Sequence, residues 1–267
     1  MTSFPTPAWL VGCGNMAGAM VEGWRAAGID LSNVTAIRPS GTPVEGVRTV
    51  TALPDDETLR FVMLGVKPQK LDEVVPGLAP KVGRETLVVS LLAGVDAATL
   101  RRRFPEAGII VRAMPNLAVA VRQGVTALYS ADADHDATVG GLMDALGDAP
   151  WCESDDELAA IGALAGSGPA YVARFAAAMA KGGEAMGLDP ERAAAIAART
   201  LIGSAALIDR GENFAGLARR VASPNGTTEQ GLAVLDGEGG LQPLIDRMYA
   251  AAIARGRELA AEAAARS

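Results

Sequence analysis

A short apolar run, Ala8–Val11, leads into Gly12-x-Gly14-x-x-Ala17, and a stretch of helical character at residues 19–24 follows. Strand, glycine turn and helix in that order form the unit that cradles the pyrophosphate of a dinucleotide. Gly12 permits the tight turn out of the strand. Gly14 removes the Cβ that would hold a phosphate away from the backbone, and Ala17 lets the helix pack closely on the sheet. The helix start adds unpaired N–H groups and a partial positive charge. Gly12, Gly14, Asn15, Met16 and Ala17 are therefore the first expected cofactor-binding residues. Small residues also serve ordinary tight turns in α/β domains that bind nothing. The binding reading is favoured because this turn heads an alternating strand/helix pattern.

Further strands are expected at Val34–Ile37, Arg48–Val50 and residues 61–66, 86–90 and 109–112, with helical patterns at residues 70–78 and Ala97–Arg103 between them. Such alternation implies an α/β fold whose mostly parallel, doubly wound sheet is covered on both faces. Less regular strands are expected at residues 124–130 and 151–153. Ligands of such sheets bind outside the carboxyl ends of the strands. Three ends carry distinctive residues: Val66-Lys67-Pro68, the segment 90–94 with Ala93, and Met114-Pro115-Asn116. All are expected to place backbone groups near a cofactor, although each alone also reads as a rigid loop. Arg38 closes the second strand, with Ser40 and Thr42 nearby. An NAD site puts an acidic residue there; an arginine suits a 2′-phosphate, so NADPH is expected over NADH.

From Asp155 onward helix formers dominate and Ala recurs in blocks. The chain is read as a dinucleotide-binding domain, 1–154, and an all-helical domain, 155–267, that binds substrate and builds an oligomer. Helices are expected at residues 155–164, 170–186, Pro190–Asp209, 213–221, 227–235 and 241–265. The net charge of −7 argues against non-specific nucleic-acid binding. Arg101, Arg102 and Arg103 read as a solvated helix end. No apolar run is long enough for a membrane span, and the N-terminal residues lack the pattern of an export signal. Cys13 and Cys152 are expected as reduced thiols of a cytoplasmic protein. His135, the single histidine, is expected at the surface. With so few ligands no metal is expected, and a Ser-His-Asp hydrolase is unsupported.

Two stretches in the helical half look unlike packing. Gly166-Ser167-Gly168-Pro169-Ala170-Tyr171 and Ser223-Pro224-Asn225-Gly226-Thr227-Thr228 concentrate small and hydroxyl residues at helix starts. Either alone reads as a capped junction; together they offer N–H groups to a carboxylate. With Gly12 to Ala17, Val66-Lys67-Pro68 and Arg112 to Asn116, they occur in an order and spacing that resembles the pyrroline-5-carboxylate reductases over nearly the whole chain. The resemblance implies an N-terminal Rossmann domain and a helical domain that intertwines into a homodimer, with larger rings of dimers in parts of the family. It further implies reduction of 1-pyrroline-5-carboxylate to L-proline with NADPH or NADH.

A cyclic iminium is already electrophilic, so the chain must align it, exclude water and hold its carboxylate. The N–H groups of Gly226 and Thr227, with Ser223, are expected to bind the carboxylate, and Ser167, Gly168 and Asn225 to line the same site. Thr228 is expected at the imine nitrogen, as the resemblance implies. Thr228 and Ser223 are thus the expected catalytic residues. One departure stands out: the family usually has glycine where this chain has Asn225. If that position needs φ > 0, Asn tolerates it best. A 2-hydroxyacid dehydrogenase would want a histidine base. A β-hydroxyacid dehydrogenase would want a lysine soon after Gly168, and Lys181 is too distant. A reductase of another cyclic imine and a catalytically silent NADP-binding module remain as alternatives.

Overall fold

The computed structural model describes residues 2–55, 58–132 and 136–264. His135 lies outside them. The chain divides into two units, Met1–Gly168 with Ala252–Ser267, and Pro169–Ala251.

The first unit is built on an eight-stranded sheet of order β3-β2-β1-β4-β5-β6-β7-β8. Its strands are β1 (Ala8–Val11), β2 (Val34–Ile37), β3 (Arg48–Val50), β4 (Phe61–Leu64), β5 (Leu87–Ser90), β6 (Ile109–Pro115), β7 (Gly124–Tyr129) and β8 (Gly147–Asp148). β1 to β6 are parallel, and β7 runs antiparallel to β6. Every residue of β1, β2 and β4 is buried, as a sheet covered on both faces requires. Successive side chains alternate between two cores. Ala8, Leu10, Phe61 and Met63 share one with Met20 and Trp24 of α1 (Asn15–Ala26). Trp9, Val11, Val62 and Leu64 share the other with Leu71 and Leu78 of α2 (Leu71–Leu78) and Leu100 of α3 (Ala97–Arg103). The architecture is α/β, a Rossmann-type mostly parallel sheet followed by a helical C-terminal region.

The structure differs from the sequence reading at several ends. The strand expected at residues 61–66 stops at Leu64, where the bond from Gly65 N–H to Val11 O (2.8 Å) is the last rung of its ladder with β1. β6 runs on to Pro115 because β7 pairs beside it. Residues 151–153 contribute a single bridge, Leu128 to Trp151, and Gly147–Asp148 supplies the last strand instead. A helix that the sequence reading lacks, α4 (Ala137–Asp144), is capped by Asp136 and receives the Trp24 indole N–H at Leu142 O (2.7 Å). α5 (Asp155–Ile161) ends before residue 164 and widens into a π turn, Gly162–Gly166.

The second unit contains α7 (Pro190–Asp209), α8 (Phe214–Val221) and α9 (Thr227–Asp236), together with most of α6 (Gly168–Ala185) and the first part of α10 (Leu241–Ala264). Asp189 caps α7 by accepting from Glu191 and Arg192 N–H, and Asn213 caps α8. α6 and α7 approach through small residues: a Cβ on Gly183 would lie 3.1 Å from Ala193 Cβ. Large apolar side chains nevertheless stay exposed, including Met186 (80%), Phe214 (78%) and Val234 (73%). Among the described residues no helix is long and apolar enough to cross a membrane.

Candidate active site

The strand order reverses between β1 and β4, and the loops leaving these two strands flank the crevice where such sheets hold ligands. Gly12 takes φ 83° and donates its N–H to Ile37 O (3.0 Å). A Cβ there would fall 2.7 Å from Val66 N, and one on Gly65 would fall 2.2 Å from Gly12 O. The two loops are thus backed onto each other with no room for a side chain. Ala17, 1% exposed, packs on the same junction, 3.3 Å from where a Gly65 Cβ would stand. Gly14 is the opposite case. A Cβ there would meet nothing within 4 Å, and as N-cap of α1 it supplies no side-chain cap. An open space beside uncapped N–H groups of Asn15, Met16 and Ala17 is what a pyrophosphate requires, so these residues fit a dinucleotide.

From Gly14 and Asn15 a groove of ≈ 380 Å³ runs to Arg38. Arg38 anchors its N–H on Val50 O (2.8 Å) and gives one guanidinium hydrogen to Thr42 O (3.1 Å). The Ser40 and Thr42 hydroxyls lie 3.0 Å apart. A guanidinium carries five N–H donors, which leaves capacity for an anion. Cys13 also lines the groove; burial pushes its thiol above the usual range, against a smaller opposite pull from Arg38. That is the signature of an inert core thiol. Sequence reasoning missed the far wall, where Arg25 of α1 pairs with Glu45 (2.6 Å). Gly46, at φ 79°, passes so close to Arg25 that a Cβ would sit 2.8 Å from its Cδ.

The remaining expected cofactor residues occupy strand ends. Val66 is half-buried against Gly12, while Lys67 is exposed and precedes a 3-10 turn that opens on Pro68. Ala93 is exposed in the loop after β5. Met114 and Pro115 close β6. Met114 Cγ would lie 2.8 Å from a Cβ on Gly162, so its side chain rests on the π turn. Asn116 is 7% exposed, and its side-chain amide is committed. Oδ1 accepts from Ala118 N–H (3.2 Å) and Val125 N–H (3.3 Å), and Nδ2 donates to Ala165 O (3.1 Å) within the π turn. Asn116 therefore ties β6, β7 and the π turn together. Ser167 and Gly168 follow that turn directly.

The second unit carries the other expected loop. Asn225 takes φ 57°, so the position does need φ > 0, the case in which Asn is the best-tolerated replacement for glycine. Gly226 is the N-cap of α9 and offers no side-chain cap. Gly226 N–H, one of the expected carboxylate donors, is folded back in the tight turn and donates to Ser223 O (2.9 Å). A Cβ at 226 would strike Ser223 Oγ at 2.4 Å. Thr227 and Thr228 follow in the first turn, Thr227 exposed and Thr228 half-buried. Glu229, absent from the sequence reading, accepts from Asn225 N–H at 2.7 Å. Among the described residues no group of three metal-binding side chains gathers.

Comparison with known proteins places this geometry. Residues 155–259 match a model of the pyrroline-5-carboxylate reductase dimerisation region, and residues 8–94 match one described as NADP oxidoreductase, coenzyme F420-dependent. A pyrroline-5-carboxylate reductase of Pseudomonas aeruginosa is 34% identical over 261 residues, covering 94% of this chain and 95% of that one. The structure of a pyrroline-5-carboxylate reductase from Coxiella burnetii superposes with a TM-score of 0.84 at 32% identity, over 95% of this chain and 98% of that chain. A Plasmodium falciparum pyrroline carboxylate reductase with NADP bound shares the fold, with a TM-score of 0.81 at 22% identity over 95% and 97% of the two chains. Identity at this level, spread over nearly both full lengths, means that the chain belongs to the pyrroline-5-carboxylate reductase family.

Proposed function

We propose that this chain reduces 1-pyrroline-5-carboxylate to L-proline with NADPH in preference to NADH. The observation that carries the reading is the 223–228 loop: Asn225 is left-handed, as the family's glycine would allow, and it leads into an uncapped helix start. When bound, NADPH supplies the hydride to C5 of the ring. The chain supplies the rest. The N–H groups of Thr227 and Thr228, at the positive end of α9, hold the substrate carboxylate. Thr228 Oγ1 hydrogen-bonds the ring nitrogen and keeps its proton in place as the C=N bond becomes a C–N single bond. Ser223 assists at this helix start, and Ser167 and Gly168, which follow the π turn, are further substrate-binding residues. Gly12, Gly14, Asn15, Met16 and Ala17 hold the pyrophosphate, and Arg38 with Ser40 holds the 2′-phosphate. Val66, Lys67, Pro68, Ala93, Met114 and Pro115 border the coenzyme through their backbone.

The division of labour follows residues 1–154 for coenzyme and 155–267 for substrate and assembly. The exposed Met186, Phe214 and Val234 support a homo-oligomer formed through the helical region, a homodimer that assembles further into a ring. Two free cysteines support a cytoplasmic location. Replacing Thr228 by Ala tests the substrate assignment. Loss of about 10²-fold in kcat/KM for the imino acid is expected, the scale of a lost positioned proton contact; unchanged turnover and affinity would overturn it.

A further inference from the structure

α9 begins as half of a capping box. In the full motif a hydroxyl at the N-cap binds the third helical N–H, and a glutamate at that third position reaches back to the N-cap N–H. Here the N-cap is Gly226, which has no side chain to give, while the glutamate is present as Glu229. Its carboxylate reaches one residue further back, to the Asn225 N–H (2.7 Å), and Gly226 N–H is held by Ser223 O (2.9 Å). Both N–H groups that precede the helix are tied, and no side chain caps those of Thr227 and Thr228.

Asn225 needs this support. Its φ of 57° is disfavoured for residues with a Cβ, and Asn merely tolerates it better than most. Glycine, which stands there in the family pattern, takes that shape readily. An acceptor that engages the Asn225 N–H in the left-handed turn selects that turn over its alternatives. We propose that Glu229 is a positioning residue for the imino-acid substrate: it locks Asn225 in the left-handed turn and so presents the Thr227 and Thr228 N–H groups to the carboxylate. The proposal rests on the reductase reading above. Glu229 acts through the loop, not on the reacting atoms.

The test uses the full chain and the variants E229A, E229Q and E229A/N225G, with steady-state kinetics on the imino acid and NADPH and hydrogen exchange of residues 223–228. E229A is expected to raise the imino-acid KM about fivefold, the scale of one lost hydrogen bond, with kcat and the NADPH KM within about twofold. E229Q keeps an acceptor oxygen and returns KM to within about twofold of wild type. E229A/N225G recovers part of the loss, because glycine needs no help to stay left-handed. Exchange in the loop accelerates in E229A and not in E229Q. An E229Q chain as impaired as E229A would overturn the proposal, since charge rather than the loop bond would then matter. Parallel change in kcat and both KM values would overturn it as well. A wild-type chain that turns over no imino acid overturns the reductase reading, and this proposal with it. A wild-type chain that turns over while E229A matches it in KM and exchange overturns the proposal alone.

Discussion

Replacing Asn116 by Ala removes three hydrogen bonds at once. The side chain is 7% exposed, so water cannot readily take its place. Ala118 and Val125 N–H lose their bonds to Oδ1, and Ala165 O loses its bond from Nδ2. A buried polar group left without a partner costs about 1–3 kcal/mol. The bonds span 3.1–3.3 Å, and contacts at the long end of the range favour about 1 kcal/mol each, or about 3 kcal/mol in total. For a chain of this size that lowers the midpoint of thermal unfolding by about 6–12 °C. Asn116→Asp sharpens the test. It keeps the acceptor for Ala118 and Val125 but sets a carboxylate oxygen against Ala165 O. At low pH the protonated acid can donate to the Ala165 carbonyl as the amide does, whereas the ionised form cannot, so Asn116→Asp is expected to lie closer to wild type at pH 4 than at pH 8. Calorimetry of the chain and both variants from pH 4 to 8 reads both effects. A midpoint for Asn116→Ala within about 2 °C of wild type would refute the claim that Asn116 ties the π turn to the sheet.

Two further outcomes follow from named contacts. Arg38→Ala should raise the NADPH KM about tenfold and leave the NADH KM nearly unchanged, as loss of a charge-assisted bond at a half-exposed site implies; equal effects on both coenzymes would remove Arg38 from the 2′-phosphate. Asp96 caps α3 by accepting from Thr99 N–H (2.6 Å). Burial pulls its carboxyl upward, but the bonds from Thr99, with Arg102 and Arg112 nearby, outweigh this and leave it below the usual range. Its stabilisation is therefore present above the unfolded pKa near 4 and lost as pH falls through the folded value. Asp96→Ala should cost about 1 kcal/mol at pH 7 in denaturant unfolding, and the gap to wild type should shrink below pH 4.

What could be read from the sequence was set by atoms that must be missing. Gly12 and Gly14 were legible because a Cβ has no place in one and would obstruct a phosphate at the other. Asn225 was legible because few side chains survive a positive φ. Features made by tertiary contacts left no such mark. The π turn at Gly162–Gly166 continues the helical pattern of the residues before it, and its partner Asn116 is remote in sequence. α4 is weakly marked in the sequence, since Gly140 and Gly141 are poor helix formers. In the fold both fit close neighbours: a Cβ at 140 would lie 3.4 Å from Trp151 Nε1, and one at 141 would lie 3.0 Å from Thr2 Oγ1. The Arg25–Glu45 wall joins residues across a loop with no periodicity. The bond from Gly226 N–H to Ser223 O leaves no mark in the sequence either, because it is set by the closed loop and not by residue type.

On the reading proposed above, the Gly12–Arg38 groove and the 223–228 loop serve one reaction, reduction of a five-membered cyclic imino acid. The most direct measurement follows the loss of NADPH absorbance when the chain meets 1-pyrroline-5-carboxylate, repeated with NADH and with the six-membered homologue. Rapid oxidation with the five-membered ring, faster with NADPH than with NADH and slow with the larger ring, is the predicted result. Tight NADPH binding without turnover of either ring would contradict the account and leave a coenzyme-binding protein with no reductase activity.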